Sequence, residues 1–197
     1  LRFHLNFQAE GREDARALID AWWPLVESGV EAFVMTASGC GLMVKDYGHL
    51  FADDAAYAEK ARRIASMTRD IAEVLDAEWA RLEPTLQRGD ERVAFHPPCT
   101  LQHGQAVRPV VERLLVRAGF ALSPVADAHL CCGSAGTYSL TEPALSERLR
   151  ANKVAALEAG SPERIVTANI GCESHLAAAT RLPVEHWIVA LARRLSS

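Results

Sequence analysis

Cys131 and Cys132 are adjacent in the sequence and are followed at once by Gly133. Neighbouring Cα atoms across a trans peptide lie about 3.8 Å apart, below the roughly 4.4–6.8 Å of an unstrained disulfide. The pair therefore calls for burial, redox chemistry or a shared ligand. Cys40, Cys99 and Cys172 bring the total to five. Thiolates from Cys99, Cys131, Cys132 and Cys172 suit a soft metal centre, either an iron–sulfur cluster or zinc, whereas hard cations prefer oxygen. Adjacent cysteines chelate a single tetrahedral zinc awkwardly but can reach different irons of a multinuclear cluster, which favours iron. Gly133 and Gly136 would then let the backbone approach a bulky cofactor and donate N–H groups to sulfide. Cys172 is expected just before a helix, whose N-terminal dipole favours thiolate.

The histidines nearby are further candidates. His96 and His103 flank Cys99, His129 precedes the pair, and His175 forms a C-x2-H with Cys172. Each can ligate metal or donate to a sulfur, but each alone reads more readily as a satisfied or exposed loop histidine. His4, His49 and His186 carry no such context. Free cysteine is among the most buried residue types, so Cys99 taken singly would be read as core packing, and Cys40, whose partners are absent here, less readily so. An alternative chemistry is thiol redox catalysis, in which Cys131 or Cys132 attacks a disulfide.

These cysteines need elements that bring them together. Apolar spacing predicts a helix over about 10–28, and EAFVMTAS from Glu31 has strand character. A long helical stretch is expected from Asp53, with Ile64, Met67, Ile71, Val74, Leu75, Trp79 and Leu82 on one face, ending near Pro84 and Gly89. Strands and helices then alternate: RVAFH from Arg92, a helix over about 105–118, FALSPV from Phe120, a helix over about 142–159, and RIVTANI from Arg164. Helices near 173–180 and 185–195 close the chain. The pattern predicts an α/β fold, Rossmann-like, with mainly parallel sheets flanked by helices. Cys99, the Cys131–Cys132 pair and Cys172 each follow a predicted strand, so they share the carboxyl edge where open parallel sheets bind ligands.

Composition narrows the remaining choices. The 197 residues are 49% hydrophobic and 23% charged, enough for a substantial core, and the net charge of −4 comes without a basic stripe. Nucleic acid is not an expected partner. No apolar run approaches the roughly 18 residues of a membrane span. Clustered cysteines outside a small disulfide scaffold point to a reducing cytoplasm. GSAG and SGCG lack the order of a dinucleotide fingerprint, and neither a Ser-His-Asp arrangement nor H-E-x-x-H supports a hydrolase.

The segment ERIVTANIGC (163–172) aligns without gaps to EAFVMTASGC (31–40), sharing Glu, Val, Gly and Cys. This suggests two pseudo-repeats, the first truncated, with the counterparts of Cys131 and Cys132 falling just before Leu1. The expected division is 1–88, the carboxy-terminal part of a first repeat with its connecting helix, and 89–197, a second and complete repeat. The missing half-repeat would leave an apolar surface on the first half that promotes homodimerisation or is covered by another chain.

Taken together, HLCCGSAGTYSL, AFHPPCTLQH, VTANIGCESHL and TASGCG resemble the cysteine-rich CCG domains of the iron–sulfur subunits of glycolate oxidase (glycolate dehydrogenase), over essentially the whole chain. Similar repeats occur in a cysteine-rich subunit of heterodisulfide reductase and in iron–sulfur subunits of lactate and anaerobic glycerol-3-phosphate dehydrogenases. The resemblance implies a subunit that does not bind the hydroxy acid. It would pass electrons from flavin-containing subunits, which alone carry FAD, towards a membrane quinone, and would lie in the cytoplasm or at the inner face of the plasma membrane. By the same resemblance Cys99, Cys131, Cys132 and Cys172 hold an iron–sulfur cluster, [4Fe-4S] in type, and Cys40 matches the last cysteine of the first repeat. Heterodisulfide reductase repeats end in C-x2-C, whereas Cys172 here is followed by Glu173, Ser174 and His175. That departure leaves a four-cysteine site with His175 or His103 as added ligands. A zinc or structural cysteine-rich interaction domain, and a thiol/disulfide module, are the alternatives.

Overall fold

The computed structural model describes residues 2–196, with the side chain of His4 outside that description, as is Leu1 and what was expected beside it. Among the described residues six short strands form two parallel sheets: β1 (Phe33–Met35), β2 (Thr68–Asp70), β3 (Arg92–His96), β4 (Ala121–Leu122), β5 (Arg164–Thr167) and β6 (Val184–His186). β1 pairs only with β2, and the other four run in the order β4-β3-β5-β6. Every strand pairing within these sheets is parallel. With helices on the flanks, this is the expected Rossmann-like α/β fold.

Burial follows strand position. β3 and β5 are central, and Val93, Ala94, Phe95 and His96 are all buried, as are Ile165, Val166 and Thr167. Central parallel strands covered on both faces read as continuous apolar runs, which is why RVAFH and RIVT are visible in the sequence. One face of the larger sheet packs against Leu114, Leu115, Trp79 and Trp187. On the other face lie Ala94, Val154, Leu157, Ile165 and Leu176, joined by Cys132 and Cys172. The first half has its own cluster around Ile19, Phe51 and Ile64, with Trp22 stacked on Phe33 at 4.4 Å.

Two expected helices are interrupted by strands. The stretch from Asp53 divides into helix Ala58–Met67, β2 and helix Ile71–Ala77. Asp70 is the cause: its carboxylate accepts from the Ala72 N–H at 2.9 Å, while Glu73 accepts from the Asp70 N–H at 2.8 Å. This capping box starts a new helix where apolar periodicity alone would continue the old one. Likewise the helix expected over 185–195 is Trp187–Ala192, preceded by β6, and His186 Nδ1 accepts from the Ile188 N–H. Ala72 and Trp79 pack in the core of the larger sheet, and helix Ile71–Ala77 lies against helix Val110–Arg117.

The smaller sheet meets the carboxyl edge of the larger one. The Ser38 N–H donates to Ala168 O at 3.1 Å, Ser38 Oγ and Thr100 Oγ1 lie 2.8 Å apart, and Gln105 Nε2 donates to Ser38 O at 2.8 Å. The edge that positions the cysteines is thus roofed on one side by the first half. Among the described residues no helix is long and apolar enough to cross a membrane.

Candidate metal centre

Three connections leave the carboxyl ends of adjacent strands and bring four cysteines together. Buried Pro97 and Pro98 carry β3 into Cys99, which opens the wide turn Thr100–Gly104. The loop after β4 delivers Cys131 and Cys132. Cys172 lies in the first turn of helix Ile170–Ala177, inside the helix where the sequence placed it just before one. Cys132 and Cys172 are buried, Cys99 and Cys131 half-buried, and none is in a disulfide.

The sulfurs act on one another in series. Thiol interactions with Cys132 and Cys99 pull the Cys131 thiol down, against burial and helped by the Gly133 N–H, which donates to its Sγ at 3.2 Å. Interaction with Cys132 pulls Cys172 down as well, with His96 and Asn169 adding to it against burial. Cys99 is pushed up by Cys131 and by burial, and Cys132 by Cys131, Cys172 and burial. Cys131 and Cys172 are therefore held toward thiolate, while Cys99 and Cys132 keep their protons as donors. Cys40 takes no part in this series and is exposed.

The loops are fastened by polar side chains with no motif of their own. Gln102, 3% exposed, donates through Nε2 to Pro97 O at 2.9 Å and to His129 O at 3.2 Å, tying the Cys99 loop to the Cys131 loop. Lys153, also 3% exposed, donates to Asp127 O at 2.8 Å and Ala128 O at 3.3 Å, just before the pair. Its ammonium is destabilised by burial and favoured by Cys132, Cys99, Asp127 and Cys131. Ser146 Oγ donates to Gly133 O at 2.9 Å. A buried lysine on a helix otherwise reads as a solvent-facing residue, so the sequence offered no signal for it. Gln102 and Ser146 were equally silent.

Gly133 has a use beyond the one its sequence context suggests. Its φ is +91°, and a Cβ would lie 2.5 Å from Ser146 O, so its bareness admits the chain's own helix Pro143–Glu158. Gly136, at φ +60°, faces open space within 4 Å.

The histidines separate clearly. His175 Nε2 lies 3.2 Å from Ser146 Oγ, and exposed His103 lies 3.4 Å from His129 O. His96, the last residue of β3, is 1% exposed, and among the described residues neither ring nitrogen has a nitrogen or oxygen partner, the Cys172 sulfur being the group it acts on. An unsatisfied buried polar group costs about 1–3 kcal/mol. Ligand atoms of His96, Cys132 and Cys172 all lie within 4.8 Å of one another. The donor set is thus sulfur-rich with one adjacent imidazole, in a buried place with backbone N–H and lysine charge at hand. It fits an iron–sulfur cluster or another soft metal.

Comparison with known proteins places this arrangement in context. A family model described as a cysteine-rich domain, CCG, matches residues 93–177. The glycolate oxidase iron–sulfur subunit of Escherichia coli (strain K12) is 55% identical over 186 residues, which is 94% of this chain and 45% of that protein. Lactate utilization protein A of Bacillus licheniformis is 30% identical over 171 residues, covering 86% of this chain and 69% of that protein. A probable glycolate oxidase iron–sulfur subunit of Bacillus subtilis is 30% identical over 174 residues, 87% of this chain and 38% of that protein. The chain thus spans about half the length of the glycolate oxidase relatives, or less.

Proposed function

Because the chain belongs to the cysteine-rich CCG family of glycolate oxidase iron–sulfur subunits and lactate utilization protein A, we propose that it is an electron-transfer component of a complex oxidising glycolate or a related 2-hydroxy acid. Cys99, Cys131, Cys132 and Cys172 hold an iron–sulfur cluster, [4Fe-4S] in type. Bound there, the cluster supplies one-electron transfer between flavin-containing partner subunits and a quinone acceptor. The observation that carries the reading is the delivery of four cysteines from three adjacent strand ends to one sheet edge, where the Cys132 and Cys172 sulfurs and a His96 nitrogen lie within 4.8 Å of one another.

The chain's own groups then have defined work. Cys131 and Cys172 are already held toward thiolate, and Cys99 and Cys132 release their protons when metal binds. Gly133 N–H and Lys153 offset negative charge on the sulfurs. Gln102 and Ser146 keep the loops in place, so little reorganisation accompanies a change of charge. The hydroxy acid is handled by partner subunits, and this chain is not catalytic by itself. Five unbonded cysteines support a reducing cytoplasmic setting, with the partners bringing it to the inner face of the membrane. We take 1–88 and 89–197 as the two repeat units.

Anaerobic reconstitution with iron and sulfide tests this directly. The expected product has broad visible absorption with matched iron and sulfide, lost when the four cysteines are changed together to serine. Equal iron content in that variant, or uptake of one zinc with no sulfide by the wild type in competition, would remove the iron–sulfur reading.

A further inference from the structure

Among the described residues at this edge, Gln105 and His186 each leave one buried atom unpaired but bond through the other, whereas His96 leaves both ring nitrogens unpaired. Thr167 Oγ1 donates to its backbone oxygen at 3.0 Å, so the residue is fixed at the end of β3 between β3 and β5. Yet among the described residues its imidazole, 1% exposed, leaves both nitrogens without a nitrogen or oxygen partner. A neutral imidazole ordinarily holds one donor and one acceptor, and burying both unmet is unfavourable. What its ring does have nearby is sulfur: the Cys132 and Cys172 ligand atoms, within 4.8 Å of its own and of each other. By contrast, two other candidate histidines near the cysteines have an oxygen partner, His175 at Ser146 and His103 at the His129 carbonyl.

We propose that His96 is a nitrogen ligand of the metal held by Cys132 and Cys172. This rests on reading the cysteine series as a metal centre, but not on that centre containing iron and sulfide. Metal binding resolves the orphaned nitrogen, because the lone pair of a neutral imidazole enters coordination while thiolates supply charge. A nitrogen in place of a further thiolate also leaves the centre less negative, and imidazole ligation of an iron–sulfur centre raises its reduction potential.

The test uses cadmium-113 as the probe on the full reduced chain carrying [15N]histidine. One cadmium resonance is expected, split by a single directly bonded 15N, and an unsplit resonance overturns the proposal whatever the variants do. In His96→Phe the splitting should vanish and cadmium affinity fall by about 10–100-fold or more, the range that loss of even outer-shell support produces. His96→Cys should keep tight binding, lose the splitting and move the resonance towards the all-thiolate region. Splitting that survives in either variant assigns the nitrogen to another histidine and also overturns it. Iron and sulfide uptake is measured on the same preparation. Cadmium splitting without iron and sulfide uptake would sink the iron–sulfur reading alone, and iron and sulfide uptake with an unsplit cadmium signal would sink His96 alone.

Discussion

β1 with the helix after it and β5 with the helix after it start from closely related sequence and end in different chemistry. Glu31, Val34, Gly39 and Cys40 recur as Glu163, Val166, Gly171 and Cys172. Each cysteine is the third residue of an eight-residue helix, Ser38–Lys45 or Ile170–Ala177. Each strand pairs with a parallel neighbour whose last residue caps the next helix: Asp70 after β2 and His186 after β6. Yet Val34 is 45% exposed and Val166 is fully buried, and Cys40 is exposed where Cys172 is buried. The difference lies in the neighbours. β5 has β3 on its other side, and the loops after β3 and β4 bring three more thiols, whereas β1 pairs with β2 alone. A local G-C motif supplies one sulfur, and the adjoining strands decide whether it becomes a site.

The largest effect should come from exchanging equivalent cysteines for serine. Cys172→Ser is expected to abolish or nearly abolish iron and sulfide retention, and Cys40→Ser to leave both unchanged in this chain. Equal loss in the two variants would mean that both repeats contribute to one centre, and the contrast would be broken.

Next in size is the backbone that only the second unit has. Gly133→Ala combines an unfavourable φ with a Cβ pressed on the Ser146 carbonyl, and should cost about 2–5 kcal/mol by denaturant unfolding of the metal-free chain. Gly136→Ala, with similar φ sign but open space, should cost about 1 kcal/mol. If the two cost the same, the helix contact at Gly133 is not what requires glycine there.

Lys153 sharpens the contrast in charge, since the residue 132 positions earlier is Ala21. Lys153→Met leaves the Asp127 and Ala128 carbonyls without their donor, a loss of about 1–3 kcal/mol. It also removes a positive charge near the sulfurs, so the reconstituted centre should become harder to reduce. An unchanged potential in redox titration would confine Lys153 to holding the loop.

Much of this arrangement was legible before the fold was seen, for reasons that differ by element. Central strands β3 and β5 are buried on both faces and announce themselves as apolar runs, and their order with the intervening helices gives the parallel sheet. The cysteines are legible because residue type and strand-end position agree. β2 and β6 were hidden because each is three residues long and runs straight into a helix, so helical periodicity absorbs them. Asp70-x-x-Glu73 carries the spacing of a capping box at β2's end, but the apolar face of Ile71, Val74 and Leu75 runs straight through it. The supports of the site, Gln102, Ser146 and Lys153, are polar residues whose role depends on which carbonyl lies opposite, and one-dimensional pattern carries no such information. His96 had a position beside Cys99 in sequence, but its lack of partners is a property of the packed interior alone.

The smallest contrast is between the two caps, and pH gives it opposite signs. Replacing either by alanine should cost about 1 kcal/mol. Burial raises the Asp70 carboxyl above its ordinary range, against the Ala72 N–H, and burial lowers the His186 imidazole below its own, against the backbone of Thr36 and Ala168. For Asp70 the folded chain binds the proton more tightly than the unfolded chain, so its contribution to stability grows as pH falls through the window just above ordinary carboxylate values. For His186 the unfolded chain binds the proton more tightly, so its contribution is full above the ordinary imidazole range and is lost as pH falls below it. Thermal unfolding of the metal-free chain from neutral pH downwards should therefore show a shallower decline in His186→Asn than in the wild type. Asp70→Asn should decline more steeply at the acid end. If both variants track the wild-type slope, the caps are equivalent in their titration as well as their place, and the contrast between the two units does not extend to them.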